Sequence, residues 1–348
     1  MKKILIVTGS MNRGGAERVI SILSNELVKR GWDVSIVTVL ASGCGYVLDS
    51  SIRLLNISKE GQNQIISIPR LARAIRKEIE NQKPTVVVSF MIAINIVTWI
   101  ATRGLDLKFI PSERNDPSTG RGIVFSVLQK IVYKQATVTV FQTERARRYF
   151  SNRIQNNSVV IPNPISVATF AKNEKTKKIA TIGRLESQKN HELLIRAFSS
   201  VHTSYPEYSL DIFGDGVLKG ELQQLIDSLN LTDCVTLRGN QNNVHEQIAD
   251  AEFFILSSNY EGLSNALLEA MMMGLPCIST DCSGSDEAIQ DGVNGLIIPI
   301  KDQAAMEKAM QKLIENPETA KLLGSNAKES VSRYQVENVV DQWESILQ

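Results

Sequence analysis

Residues 3–40 of the chain read KILIVTGSMNRGGAERVISILSNELVKRGWDVSIVTVL. Lys3 to Thr8 has the length and apolar content of a buried strand. Ala16 to Arg30 then places Val19, Leu23 and Leu27 on one helical face, with Gly31 as a stop signal. Asp33 to Leu40 reads as a second strand. Strand, helix and strand in that order make a βαβ unit. The connecting loop, Gly9 to Glu17, runs from strand to helix, so its backbone N–H groups can cradle a phosphate. It fits neither of two familiar phosphate loops. A dinucleotide fingerprint wants G-x-G-x-x-G and an acid after the second strand, where Leu40 and Ala41 stand; a Walker loop wants Gly-Lys-Ser/Thr, where Gly14, Gly15 and Ala16 stand.

The alternation continues outward from this unit. Helices are predicted from Pro69 to about Gln82, around Ile94 to Thr102 and over Gly122 to Gln135, with strands at Thr85 to Phe90, Lys108 to Pro111 and Thr137 to Gln142. Pro162-Asn-Pro164 and the charged segment Lys172 to Lys178 read as a linker. Beyond it, strands start near Lys178, Tyr208, Cys234, Phe253, Cys277 and Leu296, each followed by a turn and a helix. A last helix, Val336 to Leu347, carries Val339, Val340, Trp343 and Leu347 on one face. The fold class is α/β in two domains, residues 1–165 and 170–334, with a terminal helix at 335–348.

A length of 348 residues, with 43% hydrophobic and 22% charged residues, suits two ordinary globular domains. The N-terminus has no cleavage region of a signal peptide. The longest apolar stretch, Val86 to Ala101, is interrupted by Ser89 and Asn95, short of a membrane span. The four cysteines, 44, 234, 277 and 282, have no metal-ligand spacing and read as buried thiols in a reducing cytoplasm. Net charge is +1, but residues 1–170 hold 23 Lys and Arg against 11 Asp and Glu, +12, while residues 171–348 hold 15 against 26, −11. A basic half points to an anionic partner, either nucleic acid or an acidic membrane surface.

Two constellations in the second half carry chemistry. Glu261-Gly-Leu-Ser-Asn-Ala-Leu-Leu-Glu269 sets one carboxylate before a helix start, which Ser264 or Asn265 can cap, and another inside the helix. Helix-start N–H groups favour an anion, and carboxylates accept hydrogen bonds from sugar hydroxyls, so a ligand that is part phosphate and part sugar meets both demands. Gly183-Arg-Leu-Glu-Ser-Gln-Lys-Asn190 lies between the Lys178 strand and a helix from His191 to Val201. Arg184 and Lys189 therefore sit on a strand-to-helix loop, the ligand edge of an open α/β sheet, where a guanidinium and an ammonium can neutralise a diphosphate.

The Arg-x4-Lys loop followed by Glu-x7-Glu, with Asn12-Arg-Gly-Gly-Ala-Glu17 upstream and Asp291-Gly-Val-Asn-Gly295 downstream, resembles the retaining glycosyltransferases of family 4 over essentially the whole chain. The resemblance implies a GT-B architecture of two Rossmann-like domains facing a cleft, the last helix crossing back to the first. It implies sugar transfer from a nucleotide sugar, most readily UDP-linked, with no metal and no other cofactor. By that resemblance Arg184 and Lys189 stabilise the leaving diphosphate, Glu261 binds the transferred sugar and Glu269 the ribose. Gly262, Leu263, Ser264 and Asn265 supply the turn against the donor, Gly14 and Gly15 lie against its diphosphate, and Gly239 lies near the base.

Many relatives carry a histidine in the loop after Pro111, and here Arg114 stands in that place. All three histidines, 191, 202 and 245, fall in the second half. Glu113, Arg114 and Asn115 are expected as acceptor-side contacts, with the leaving diphosphate taking the acceptor proton. His191 reads as a cap or support for the Arg/Lys loop. Arg70, Arg73 and Lys77, and separately Arg145, Arg147, Arg148 and Arg153, suggest contact with an anionic membrane surface or a lipid diphosphate acceptor, and hence a cytoplasmic protein peripheral to the membrane. Two rival readings are a nucleotide-sugar 2-epimerase on the same architecture and a nucleic-acid-binding protein. The latter lacks an aromatic platform, with 6% aromatic residues.

Overall fold

The computed structural model describes residues 2–12, 14–57, 68–118, 122–166 and 176–348. The chain divides into two compact units, Met1–Pro164 with Val336–Gln348, and Ile165–Gln335. Unit 1 runs β1 (Lys3–Thr8), α1 (Gly15–Lys29), β2 (Asp33–Thr38), β3 (Arg53–Asn56), α2 (Ile68–Gln82), β4 (Val86–Phe90), α3 (Ile92–Thr102), β5 (Lys108–Glu113), α4 (Ile123–Gln135), β6 (Thr139–Phe141), short α5 (Glu144–Arg148) and α6 (Asn152–Gln155), and β7 (Ser158–Val160). Its strands pair in parallel in the order β3-β2-β1-β4-β5-β6-β7. Both sheet faces are covered, which is why the strands read as unbroken apolar runs. Ile4 and Ile6 face α1, while Leu5 and Val7 face the layer of α2, α3 and α4.

Unit 2 runs β8 (Lys178–Ile182), α7 (His191–Ser204), β9 (Ser209–Phe213), α8 (Lys219–Ser228), β10 (Val235–Gly239), α9 (Val244–Ile248), β11 (Phe253–Leu256), α10 (Asn265–Met272), β12 (Cys277–Thr280), α11 (Ser285–Ala288), β13 (Leu296–Ile298), α12 (Gln303–Glu315) and α13 (Pro317–Ser330). Its sheet, also parallel, has the order β10-β9-β8-β11-β12-β13. Leu194, Ile195 and Phe198 of α7 are fully buried in one of its two core layers.

The last helix, α14 (Val336–Leu347), belongs to unit 1. Val339, Val340, Trp343 and Leu347 join α1 in the core, and the Trp343 ring lies 6.0 Å from that of Phe90. Glu344 fastens the outer side. It accepts from Trp32 Nε1 at 3.1 Å and pairs with Arg30 at 3.1 Å and Lys2 at 3.2 Å, and these hydrogen bonds hold its carboxyl down at about 2.

The strands differ in part from the sequence reading. β2 stops at Thr38 rather than Leu40, β6 spans Thr139–Phe141 rather than Thr137 to Gln142, β5 continues past Pro111 through pairing with β4 and β6, and β3 and β7 are strands that the sequence reading does not contain. Most of the predicted Lys172 to Lys178 linker lies outside the described residues. The thiols also differ in part: Cys277 and Cys282 are buried, but Cys44 is exposed and Cys234 half-buried.

Candidate active site

In an open parallel sheet, ligands bind at the carboxyl ends of the strands where connections diverge to opposite sides. In unit 2 that point lies between β8 and β11. The loops leaving these strands, 183–190 and 257–264, carry the Arg/Lys and Glu-x7-Glu motifs. Lys189 Nζ lies 2.5 Å from Glu261 Oε1, 72 positions away, with the side chains 15% and 10% exposed. Ser258 Oγ donates to the same carboxylate oxygen at 2.7 Å, and Gln188 Nε2 stands 3.5 Å from the other. Arg184 is on the same loop but 63% exposed, paired with Glu186 at 3.0 Å. The structure thus brings Lys189 and Glu261 together and leaves Arg184 on the solvent side of the loop.

The first loop is fastened to the second before any ligand arrives. Ser257 Oγ donates to the Lys189 carbonyl, Asn259 N to the Gln188 carbonyl and Asn259 Nδ2 to the Ser187 carbonyl, each at 2.8 Å. His191 props it from beneath: its ring is buried, with Nε2 3.3 Å from the Gly183 carbonyl. Burial, and then the charge of Lys189, push the imidazole down to about 4, so it is neutral at pH 7. Two glycines let neighbouring loops close in. A Cβ at Gly214 would strike the Gly183 carbonyl, and one at Gly284 the Gly262 carbonyl; both sit at positive φ, +135° and +86°. Gly239 ends β10, its carbonyl accepting from Gly214 N at 2.9 Å.

Gly262, Leu263 and Ser264 are buried and Asn265 is half-buried. Ser264 is the cap of α10, its Oγ accepting from Leu267 N at 3.4 Å. Glu269, one turn into the helix, is buried, with Oε2 2.7 Å from His245 Nε2. The sequence reading gave His245 no role, because a partner 24 positions away on a five-residue helix leaves no local signal. Asp291 to Gly295 forms a structural turn: Asn294 Oδ1 accepts from Gln290 N and Asp291 Oδ1 from Ile297 N.

The unit 1 candidates are more enclosed than a loop position implies. Glu113 is the last residue of β5 and fully buried; Tyr133 Oη and Gln129 Nε2 donate to its Oε2, both at 2.8 Å, and the Arg114 and Asn115 amides to its Oε1 at 3.1 and 3.3 Å. Arg114 points inward. Its guanidinium lies 5.2 Å from the Phe90 ring and 5.4 Å from the Trp343 ring, and Nη1 donates to Asn163 Oδ1 at 3.0 Å. Burial lowers it to about 9, which leaves it charged at pH 7. Asn115 is half-buried. Arg114 directly follows the last residue of β5, and its side chain is set in the core of unit 1. In the glycine-rich loop, Gly14 N donates to Tyr46 Oη at 3.0 Å, Tyr46 Oη donates back to the Gly14 carbonyl, and Glu17 stands at the helix start. Arg13 lies outside the described residues. Of the second basic cluster, Arg147 and Arg148 both pair with Glu144.

Known proteins match along the whole chain. The family model described as "Glycosyltransferase Family 4" matches residues 13–169, and that described as "Glycosyl transferases group 1" matches residues 164–330. The chain belongs to the family 4 glycosyltransferases. An uncharacterized glycosyltransferase of Haemophilus influenzae is 26% identical over 100% of both chains. The N-acetylgalactosamine-N,N'-diacetylbacillosaminyl-diphospho-undecaprenol 4-alpha-N-acetylgalactosaminyltransferase of Campylobacter jejuni is 28% identical over 94% of each. The solved structure of Anabaena HepE in complex with UDP superposes with a TM-score of 0.83 at 18% identity, covering 100% of this chain and 99% of that one. The glycosyltransferase has the GT-B fold, and sugar transfer is its class of activity. Among its described residues no group of three or more His, Cys, Asp or Glu is placed to hold a metal ion, and no helix is long and apolar enough to cross a membrane.

Proposed function

We propose that this glycosyltransferase moves a hexose or N-acetylhexosamine, with retention of configuration, from a UDP-sugar to a glycan carried on a polyprenyl diphosphate. The observation that carries the reading is the Lys189–Glu261 pair at the diverging point of the unit 2 sheet. An ammonium has three donors and a carboxylate about four acceptor positions, so each can keep its partner and still take a ligand. Lys189 and the exposed Arg184 neutralise the diphosphate as the bond from C1 to its oxygen breaks. Glu261 accepts from hydroxyls of the transferred sugar, and Glu269, steadied by His245, from the ribose. The acceptor oxygen attacks C1 on the face the diphosphate leaves, and its proton passes to the departing oxygen. The positive charge comes from side chains, so the reaction as written calls for no metal.

The names of relatives support both substrates. The Campylobacter enzyme acts on a diphospho-undecaprenol-linked sugar, and HepE was solved with UDP. Unit 1, with its basic balance, is assigned the acceptor side and an anionic membrane surface. The test is transfer from an α-linked UDP-sugar to a short-chain prenyl diphosphate glycan, with the product anomer read by NMR. An α-linked product is expected, and Arg184→Ala should lose about 1.5–3 kcal/mol of transition-state stabilisation, a tenfold to hundredfold drop in kcat/KM. A β-linked product overturns retention, and full turnover by the variant removes Arg184 from the mechanism.

A further inference from the structure

Exposed apolar side chains are concentrated in one place on unit 1. Of the fifteen large hydrophobic residues exposed among the described residues, five belong to α4: Ile123, Val124, Phe125, Val127 and Ile131. Ile123, Val124 and Val127 are 85%, 71% and 51% exposed, values usual for lysine rather than isoleucine or valine. Ile123, Val127, Lys130, Ile131 and Lys134 follow one another at helical spacing, so a single outward face is apolar in its first turns and cationic in its last. The opposite face, with Gln129, Val132 and Tyr133, is buried. The helix contains no acid. It shares a layer with α2, where Arg70, Arg73 and Lys77 are exposed.

We infer that the outward face of α4 is a membrane-inserting wedge, its first turns entering the acyl boundary of an anionic bilayer and its lysines lying among the headgroups. Apolar residues on one side with cations alongside form the pattern of helices that lie in a membrane interface. A second copy of the chain is a poorer occupant, because a symmetric contact would set Lys130, Lys134 and the α2 cations against themselves. The position of the helix gives the wedge a purpose. Glu113, the last residue of β5, accepts from Gln129 and Tyr133 beyond the middle of α4, so the earlier turns of the helix reach past the carboxyl edge of the unit 1 sheet. Insertion there brings this edge to the depth at which a lipid-linked diphosphate sits. The inference rests on the lipid-linked acceptor proposed above, and names the element that meets the lipid.

The test is flotation of the whole enzyme with vesicles of equal parts phosphatidylglycerol and phosphatidylcholine, at low and high salt, beside transfer to a water-soluble short-chain acceptor. The wild type should float, and the double variant I123D/V127D should lose binding by at least about tenfold, since two apolar side chains no longer enter the lipid. Its melting temperature and its transfer to the soluble acceptor should be unchanged. K130Q/K134Q should weaken flotation at low salt only. Equal flotation of I123D/V127D and wild type would overturn the wedge and leave a purely electrostatic attachment. A wild type that transfers sugar but never floats would overturn it while sparing the transferase reading. A wild-type dimer that dissociates on I123D/V127D substitution would assign the face to a second copy instead. Flotation without transfer of any sugar to a lipid diphosphate acceptor would keep the wedge and remove the acceptor proposal.

Discussion

Glu113 and Glu261 each stand at the carboxyl edge of their own sheet, and both are buried, yet their surroundings have opposite character. Glu113 is surrounded by Tyr133, Gln129 and two backbone amides, so both oxygens are engaged by neutral groups. The carboxylate in turn helps burial to push the Tyr133 phenol up. Glu261 is held instead by an ammonium and a hydroxyl on one oxygen, with an amide at the edge of reach of the other. A ring of neutral donors fixes an acid as scaffold. A cation beside an acid, each with capacity left over, can share itself with a ligand that is part anion and part hydroxyl.

Three substitutions would break or sharpen this contrast. Lys189→Ala should show the largest effect, a fall in kcat/KM of about 10³-fold, or about 4 kcal/mol, with a smaller loss of melting temperature. If activity falls only as far as folded protein is lost, the pair is scaffold like Glu113 and the contrast disappears. Glu113→Ala should behave in the reverse way. It leaves Tyr133 and Gln129 without their acceptor and should cost about 3 kcal/mol in denaturant unfolding, with kcat of the remaining folded enzyme preserved. Collapse of kcat at unchanged stability would move Glu113 into the chemistry.

The smallest effect belongs to His191, beneath the Lys189 loop. Its folded pKa of about 4 is below the value of about 6.5 expected unfolded. The unfolded state therefore binds the proton more tightly. The contribution of the neutral ring is present above about pH 6.5 and declines as pH falls toward 4, by about 1.4 kcal/mol at about pH 5.5. His191→Gln should flatten the melting-temperature profile over that window. An unchanged slope would show that other groups govern it.

The inner strands of the sheets were legible because a parallel strand covered on both faces is a continuous apolar run, as in Ile4 to Val7, whereas the short, less buried edge strands β3 and β7 were not. The end of β5 was not. Ser112 and Glu113 look like a loop, and it is pairing of Ser112 with Phe90 of β4, and of the two with Val140 and Phe141 of β6, that makes them strand. That extension sets Arg114 just past the end of β5, where its guanidinium is buried against Phe90 and Trp343. Lys189 and Glu261 could each be placed on a strand-to-helix loop from the order of elements along the chain. Their direct contact could not be read, because it depends on the β8–β11 adjacency and on Ser257 and Asn259 pinning the loop. The His245 contact to Glu269 and the outward face of α4 depend on which neighbours a helix meets, information that periodicity within one helix does not contain.

α14 is separated from Pro164 by the 171 residues of unit 2, yet it supplies Trp343 to the core of unit 1. During synthesis unit 2 is therefore complete before unit 1 can be. Until residues 336–348 emerge from the ribosome, Phe90 and the Arg114 guanidinium lack the indole that covers them, and the nascent N-terminal half waits with an open seam. Translation that halts shortly before Val336 would yield a finished unit 2 tethered to an unsealed unit 1, a product on which chaperones and proteases would act.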